Sequence, residues 1–267
     1  MMSAVIPLTV WIEYPLQISA LFIRPLAVFV MFPLLSSKSL GGSFIRNALA
    51  LACVLPLIPM LMQRDTVLSL RVENIDATFV MQEMLIGLII GFVAAIPFWA
   101  LDSAGFLIDT IRGSSLSSVI NPSLGEAASI FGMLFTQLFM TLFFFNGGFL
   151  QLLDTLYLSY AQVPPGSALQ LDAGWLHLLL SQWELLGRLA VNFALPAVAV
   201  MLLVDMSLGL INRSAQQLNV FFLAMPLKSV AVLFVLIVSL WASLDVVTRG
   251  QQSIFRGLGH MLQRMAA

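Results

Sequence analysis

Six stretches of the chain approach the length of a membrane-spanning helix: residues 16–35, 44–62, 79–101, 130–150, 176–204 and 230–247. About 20 apolar residues cross a hydrocarbon core as a helix, and there every backbone N–H and C=O must find its partner inside the protein. Few folds satisfy both conditions, and the chain is expected to be all-α. Composition agrees. Of 267 residues, 60% are hydrophobic and 9% charged, with a mean hydropathy of +1.00, against about 25% charged residues in an average soluble domain. The 12 Lys+Arg and 13 Asp+Glu cannot cover a water-soluble surface of this size. The remainder must face lipid or other apolar subunits.

Polar insertions make the stretches untidy. Arg24 lies inside the first, Asn47 early in the second, Glu83 inside the third, and Glu184 with Arg188 inside the fifth. A charge at the centre of a lone membrane helix costs roughly 2.5 to 3.5 kcal/mol on insertion scales, so these embedded charges are expected against protein or water. Arg24 and Glu83 have opposite signs and suit a pair across helices. Glu184 and Arg188, at i and i+4, suit a local ion pair better than a relay. Pro25, Pro56, Pro59, Pro97 and Pro196 each remove a helical hydrogen bond. They favour kinked helices and helical hairpins over straight rods, with residues 176–211 forming a hairpin or one oversized bent helix. Loop charge gives no consistent orientation. Lys38 with Arg46 and Arg213 with Lys228 favour a cytoplasmic side for the first and fifth loops, so six simple spans leave the tail arginines, Arg249, Arg256 and Arg264, on the wrong side. Either one stretch does not span, or six is the wrong number.

The tail, residues 249–267, is itself patterned. At about 100° per residue its arginines share one face, and Ile254, Phe255, Leu258, Met261, Leu262 and Met265 share the other. It reads as a C-terminal amphipathic helix for a membrane surface or a partner subunit, within a single domain over residues 1–267. Two further segments interrupt the apolar pattern. Residues 112–126 read R-G-S-S-L-S-S-V-I-N-P-S-L-G-E, and residues 212–228 read N-R-S-A-Q-Q-L-N-V-F-F-L-A-M-P-L-K. Irregular backbone at membrane depth survives only where it lines a cavity or is buried in protein. Both segments are therefore candidates for pore or interface contact, with ordinary surface loops as the plain alternative.

Enzymatic chemistry has no foothold in the sequence. His177 and His260 are far apart and outside any H-E-x-x-H pattern, and there is no G-x-S-x-G elbow, phosphate loop or G-x-G-x-x-G turn. No catalytic residue, cofactor or metal site is expected, and a net charge of -1 offers nucleic acid no basic field. Asp102 and Asp109 would share a helix face, but Arg112, three residues after Asp109, makes pairing the simpler role. Phe143, Phe144 and Phe145, followed by Asn146, Gly147 and Gly148, read as a packed helix end or, more sharply, as an apolar constriction.

Taken in order, F-I-R-P-L-A (22–27), Q-E-M-L-I-G (82–87), D-T-I-R-G (109–113), N-P (121–122), F-F-F-N-G-G (143–148), G-L-I-N-R-S-A-Q-Q-L-N (209–219) and M-P-L-K (225–228) resemble the FliR/SpaR/SctT family of type III export-apparatus proteins. The likeness is to the injectisome branch more than the flagellar one. Gln216 stands where the family's R-x-A-P-Q-x-N pattern has proline, and N-P replaces its usual D-P, removing a charge.

The resemblance implies a non-enzymatic structural and gating subunit of the type III secretion export gate, without cofactors, forming part of a closed protein-conducting pore. It implies an integral protein of the bacterial inner membrane, raised towards the periplasm in a helical multi-subunit assembly. The implied partners are two smaller export-apparatus membrane subunits in several copies each, other export-apparatus membrane proteins and secreted unfolded polypeptides, with no nucleic acid. By position it implies a plug loop at Arg112, Ser117, Ser118, Asn121, Pro122, Ser123, Leu124, Gly125 and Glu126. A constriction or interface is expected at Phe143, Phe144, Phe145, Arg213, Gln217, Asn219 and Lys228. The rival from another class is a small-solute secondary transporter, built on broken helices and midplane charges. No matching pair of interrupted halves in the sequence supports it.

Overall fold

The computed structural model describes residues 20–35, 42–58, 76–113, 129–166, 173–214 and 219–265. The protein is an all-α, polytopic membrane protein with no strand among these residues. Its elements are α1 (Ile23–Met31), a 3-10 turn (Pro33–Leu35), α2 (Ser43–Val54), α3 (Ala77–Arg112), α4 (Ile130–Phe145), α5 (Gly148–Gln162), α6 (Ala173–Ser214) and α7 (Val220–Met265).

The first two near-spanning stretches do not become long helices among the described residues. In α1, Pro25 is the third helical residue, where a missing N–H breaks no intrahelical bond. Pro33 sets the other end. Phe32 before it is extended, at ψ 119, and its own N–H caps the helix by donating to the Val28 carbonyl. The 12-residue α2 stops two residues short of Pro56. Among the described residues, three helices, within α3, α6 and α7, are long and apolar enough to cross a membrane, or four spans if α4 and α5 count as one broken span. Among the described residues the count is thus below six, with Pro33 and Pro56 following the ends of α1 and α2.

Elsewhere the helices run further than the sequence pattern suggests. α3 is 36 residues long and continues through Pro97; α6 is 42 residues long and continues through Pro196, making it one oversized helix and not a hairpin. Residues 212–228, expected to be irregular, are mostly helical: 212–214 end α6, and 220–228 begin α7. Pro226 lies close enough to the start of α7 that its missing N–H costs a single early bond, to the Phe222 carbonyl. The tail is not a separate helix either. It is the last part of the 46-residue α7, and its apolar side chains Ile254, Phe255 and Leu258 are buried.

The chain divides into two compact units. The first comprises residues 1–95, 147–178 and 252–267. Here α1 lies against α3 at two glycines one turn apart. A Cβ on Gly87 would fall 2.4 Å from the Arg24 carbonyl oxygen, and one on Gly91 would fall 2.7 Å from that of Val28. Only hydrogen at these positions lets the two backbones come so close. The second unit comprises residues 96–146 and 179–251. Its core is aromatic, with ring centroids of Phe98 and Phe139 4.9 Å apart, Phe98 and Phe143 5.4 Å apart, and Phe135 and Phe193 4.8 Å apart.

Burial divides the three long helices by role. The apolar window of α3 is 67% buried, whereas those of α6 and α7 are 22% buried. Thus most of the apolar window of α3 is covered, whereas α6 and α7 present most of their apolar residues outward. Leu202, Leu203, Met206 and Leu210 on α6, and Phe234, Ile237 and Trp241 on α7, are exposed.

Candidate functional site

The segment 114–128 lies outside the described residues, but both helix ends that flank it are fastened. At the first, α3 ends at Arg112, and Gly113 adopts φ +92, a left-handed conformation that favours glycine. The Gly113 N–H donates to the Thr110 carbonyl at 3.1 Å. At the second, Ser129 is the N-cap of α4 and accepts from the Gly132 N–H at 2.8 Å.

One buried carboxylate ties these two ends together. Asp109 Oδ1 accepts from Arg112 Nη2 at 2.7 Å, while Oδ2 accepts from Ser129 Oγ at 2.8 Å and from the Phe131 N–H at 3.1 Å. The Arg112 guanidinium also lies over the Phe131 ring, 4.8 Å from its centroid. Asp109 therefore satisfies one amide donor and the N-cap hydroxyl at the positive end of α4 while neutralising the last charge of α3. Two glycines let the helices cross beside it. A Cβ on Gly105 would sit 2.1 Å from the Gly132 nitrogen, so this crossing admits no side chain.

A third fastening comes from the M-P-L-K motif. Lys228 Nζ forms a salt bridge with Asp205 Oδ1 of α6 at 2.7 Å and donates to the Ile111 carbonyl at 3.2 Å. Four helices, α3, α4, α6 and α7, thus contribute to the polar groups around the stem of the 114–128 segment.

The first unit has its own polar centre. Arg24 and Glu83 are fully buried and pair through two bonds, Nε to Oε2 at 2.8 Å and Nη2 to Oε1 at 2.9 Å. Arg24 further donates to Ser159 Oγ at 3.0 Å and to the Val163 carbonyl at 3.2 Å, and its guanidinium stacks 4.2 Å from the Tyr160 ring centroid. Tyr160 donates its hydroxyl to the Leu21 carbonyl at 2.7 Å. Every charged donor group faces an acceptor or a ring, which is what makes a buried ion pair tolerable.

The remaining expected residues scatter. Glu184 and Arg188 do pair, but on an exposed face of α6. Phe143 points into the aromatic core, whereas Phe144 and Phe145 are exposed, as are Arg213 and Asn219. Ser117, Ser118, Asn121, Pro122, Ser123, Leu124, Gly125, Glu126 and Gln217 lie outside the described residues. Among the described residues, no three His, Cys, Asp or Glu side chains gather into a metal-binding group. Sequence reasoning missed Ser129, Ser159, Tyr160 and Asp205. Ser129, just before an apolar run, carries an ordinary N-cap signal, and Asp205 is a charge within an apolar stretch; Ser159 and Tyr160 carry no local signal.

A family model for bacterial export proteins, family 1, matches residues 16–253. The chain is 42% identical over 227 residues to secretion system apparatus protein SsaT of Salmonella typhimurium, covering 85% of this chain and 88% of that protein. It is 37% identical over 233 residues to Yop proteins translocation protein T of Yersinia pestis, covering 85% and 87%. A more distant relative is flagellar biosynthetic protein FliR of Bacillus subtilis, 28% identical over 242 residues and covering 87% and 89%.

Proposed function

Because the chain belongs to the bacterial export proteins of family 1, on their injectisome side, we propose that this component of the type III export apparatus forms part of a closed protein-conducting pore in the bacterial inner membrane. Its work is structural and gating, not catalytic. It assembles with two smaller export-apparatus membrane subunits in several copies each and with other membrane proteins of the apparatus, raised towards the periplasm, and passes unfolded polypeptides. The outward apolar faces of α6 and α7 support such an assembly, since the exposed Glu184–Arg188 pair would be costly against lipid alone.

Residues 112–126 act in this reading as the plug of the pore. The observation that carries it is the Asp109 fastening, which holds together the two helix ends flanking a segment rich in serine, with Pro122 and Gly125. Fixed ends with few apolar residues between them allow the segment to move without unfolding the helices that bear it. Phe144 and Phe145, exposed beyond the aromatic core, and Arg213, Gln217 and Asn219 serve as constriction or interface residues.

The test is permeability. Deleting residues 121–125, or substituting Ser123→Glu, should raise passive ion or small-solute flux through membranes containing the assembled complex. A shortened variant that assembles in normal amount and stays as tight as the parent removes the plug assignment.

A further inference from the structure

An α-helix leaves its last carbonyls without intrahelical partners, so whatever group satisfies them sets how the chain leaves the helix. At the end of α3 one side chain does this, and a separate set of bonds fastens the helix without touching its carbonyls. Asp109, Arg112 and Ser129 join α3 to α4, whereas Lys228 reaches the Ile111 carbonyl from α7 while paired to Asp205 of α6. The Lys228 side chain is largely covered, at 12% exposed, and Asp205 is 42% exposed. Leu202, Leu203 and Met206, around Asp205 on α6, are exposed. The ion pair therefore lies between the stem and a face of α6 available to neighbouring molecules.

We infer that Lys228 is a positioning residue for export: held by Asp205, it transmits the placement of α6 and α7 to the last turn of α3, and so to the stem of the 114–128 segment. This rests on the plug reading for its consequence, but not for its geometry. A lysine is suited to the task, because one ammonium has three donors and can satisfy a carboxylate and a carbonyl at once. Replacing it with methionine keeps most of the apolar stem of the side chain while removing both contacts. Arginine restores a cation with several donors.

The experiment uses the assembled complex in a Cys53→Ser background, with spin labels at Thr110 and Ile130, both exposed and on either side of the segment. Lys228→Met should at least double the width of the distance distribution between the labels and raise passive ion flux several-fold. Lys228→Arg should return both towards the parent, and Asp205→Asn should move both in the direction of Lys228→Met but less far, since Lys228 keeps the Ile111 carbonyl. An unchanged distribution in Lys228→Met overturns the assignment, and so does a Lys228→Arg variant as broad as Lys228→Met, which would indicate disturbed packing. If Lys228→Met broadens the stem but neither it nor deletion of residues 121–125 leaks, positioning stands and the plug reading fails. If the deletion leaks while Lys228→Met leaves stem and flux unchanged, the plug stands and positioning fails.

Discussion

Glu83→Gln keeps the shape of the side chain and removes its charge, leaving the Arg24 guanidinium buried beside Ser159, the Val163 carbonyl and the Tyr160 ring without a counter-ion. Breaking one partner of a buried pair costs about 3–5 kcal/mol, which is roughly two to almost four orders of magnitude in an equilibrium constant. Removing both charges should cost less. In Arg24→Met/Glu83→Met, Tyr160 keeps its bond to the Leu21 carbonyl and Ser159 still donates to Leu156 at 2.6 Å. The clearest loss is the donor to the Val163 carbonyl, worth about 1–3 kcal/mol. Hydrogen exchange of peptides covering residues 156–163 in the co-purified complex reads the free energy of opening this centre. Protection should fall by roughly 100-fold or more in the single variant and recover in the double one. A single variant within about 1 kcal/mol of the parent, or a double variant worse than the single, refutes the view that this pair is held by mutual compensation.

The glycine crossing gives a paired test. Gly105→Ala places a methyl group 2.1 Å from main-chain nitrogen and should separate α3 from α4, at a cost at or above the usual overpacking range of about 1–3 kcal/mol, lowering the yield of assembled complex. Gly250→Ala, whose Cβ would meet only Leu189 side-chain atoms at 3.5 and 3.7 Å, an ordinary contact, should leave that yield unchanged. Deleting residues 254–267 removes the buried Ile254, Phe255 and Leu258, each worth about 1.5–3 kcal/mol of burial, so the level of the protein itself should drop and not merely its attachment to partners. Expressed without other export-apparatus subunits, the chain should aggregate or be degraded, because α6 and α7 lack cover. A monodisperse monomer at full yield in mild detergent would contradict that.

Much of the fold was legible from hydropathy, because lipid leaves helices as the available solution and the apolar stretches are long. Their number was not. Pro33 and Pro56 end helices at α1 and α2, whereas Pro97, Pro196 and Pro226 are carried inside longer ones, and local sequence does not distinguish these outcomes. The tail shows the same gap: its amphipathic pattern specified a buried face, but what buries it depends on the packing of the rest of the chain. Charges were easier to find than their partners. Arg24, Glu83, Asp109, Arg112 and Lys228 stand out in an apolar sequence, yet the acceptors that complete their sites include the Ile111 and Val163 carbonyls and the ring of Tyr160, which no composition or spacing reveals. The glycines at 87, 91, 105 and 132 acquire their meaning only when a second backbone is placed against them.

As part of an export pore, this chain should line the path of exported polypeptide. The most direct measurement is photo-crosslinking in secreting cells, with a cargo arrested by a folded C-terminal domain and a photoreactive amino acid placed in this chain at Leu124, within the proposed plug. Phe139, fully buried in the aromatic core, is the control position. Cargo should be captured from Leu124 and not from Phe139, and the adduct should disappear when the export signal is deleted. If fully assembled, actively secreting complexes give no cargo adduct from Leu124, or an equal one from Phe139, this chain does not line the path.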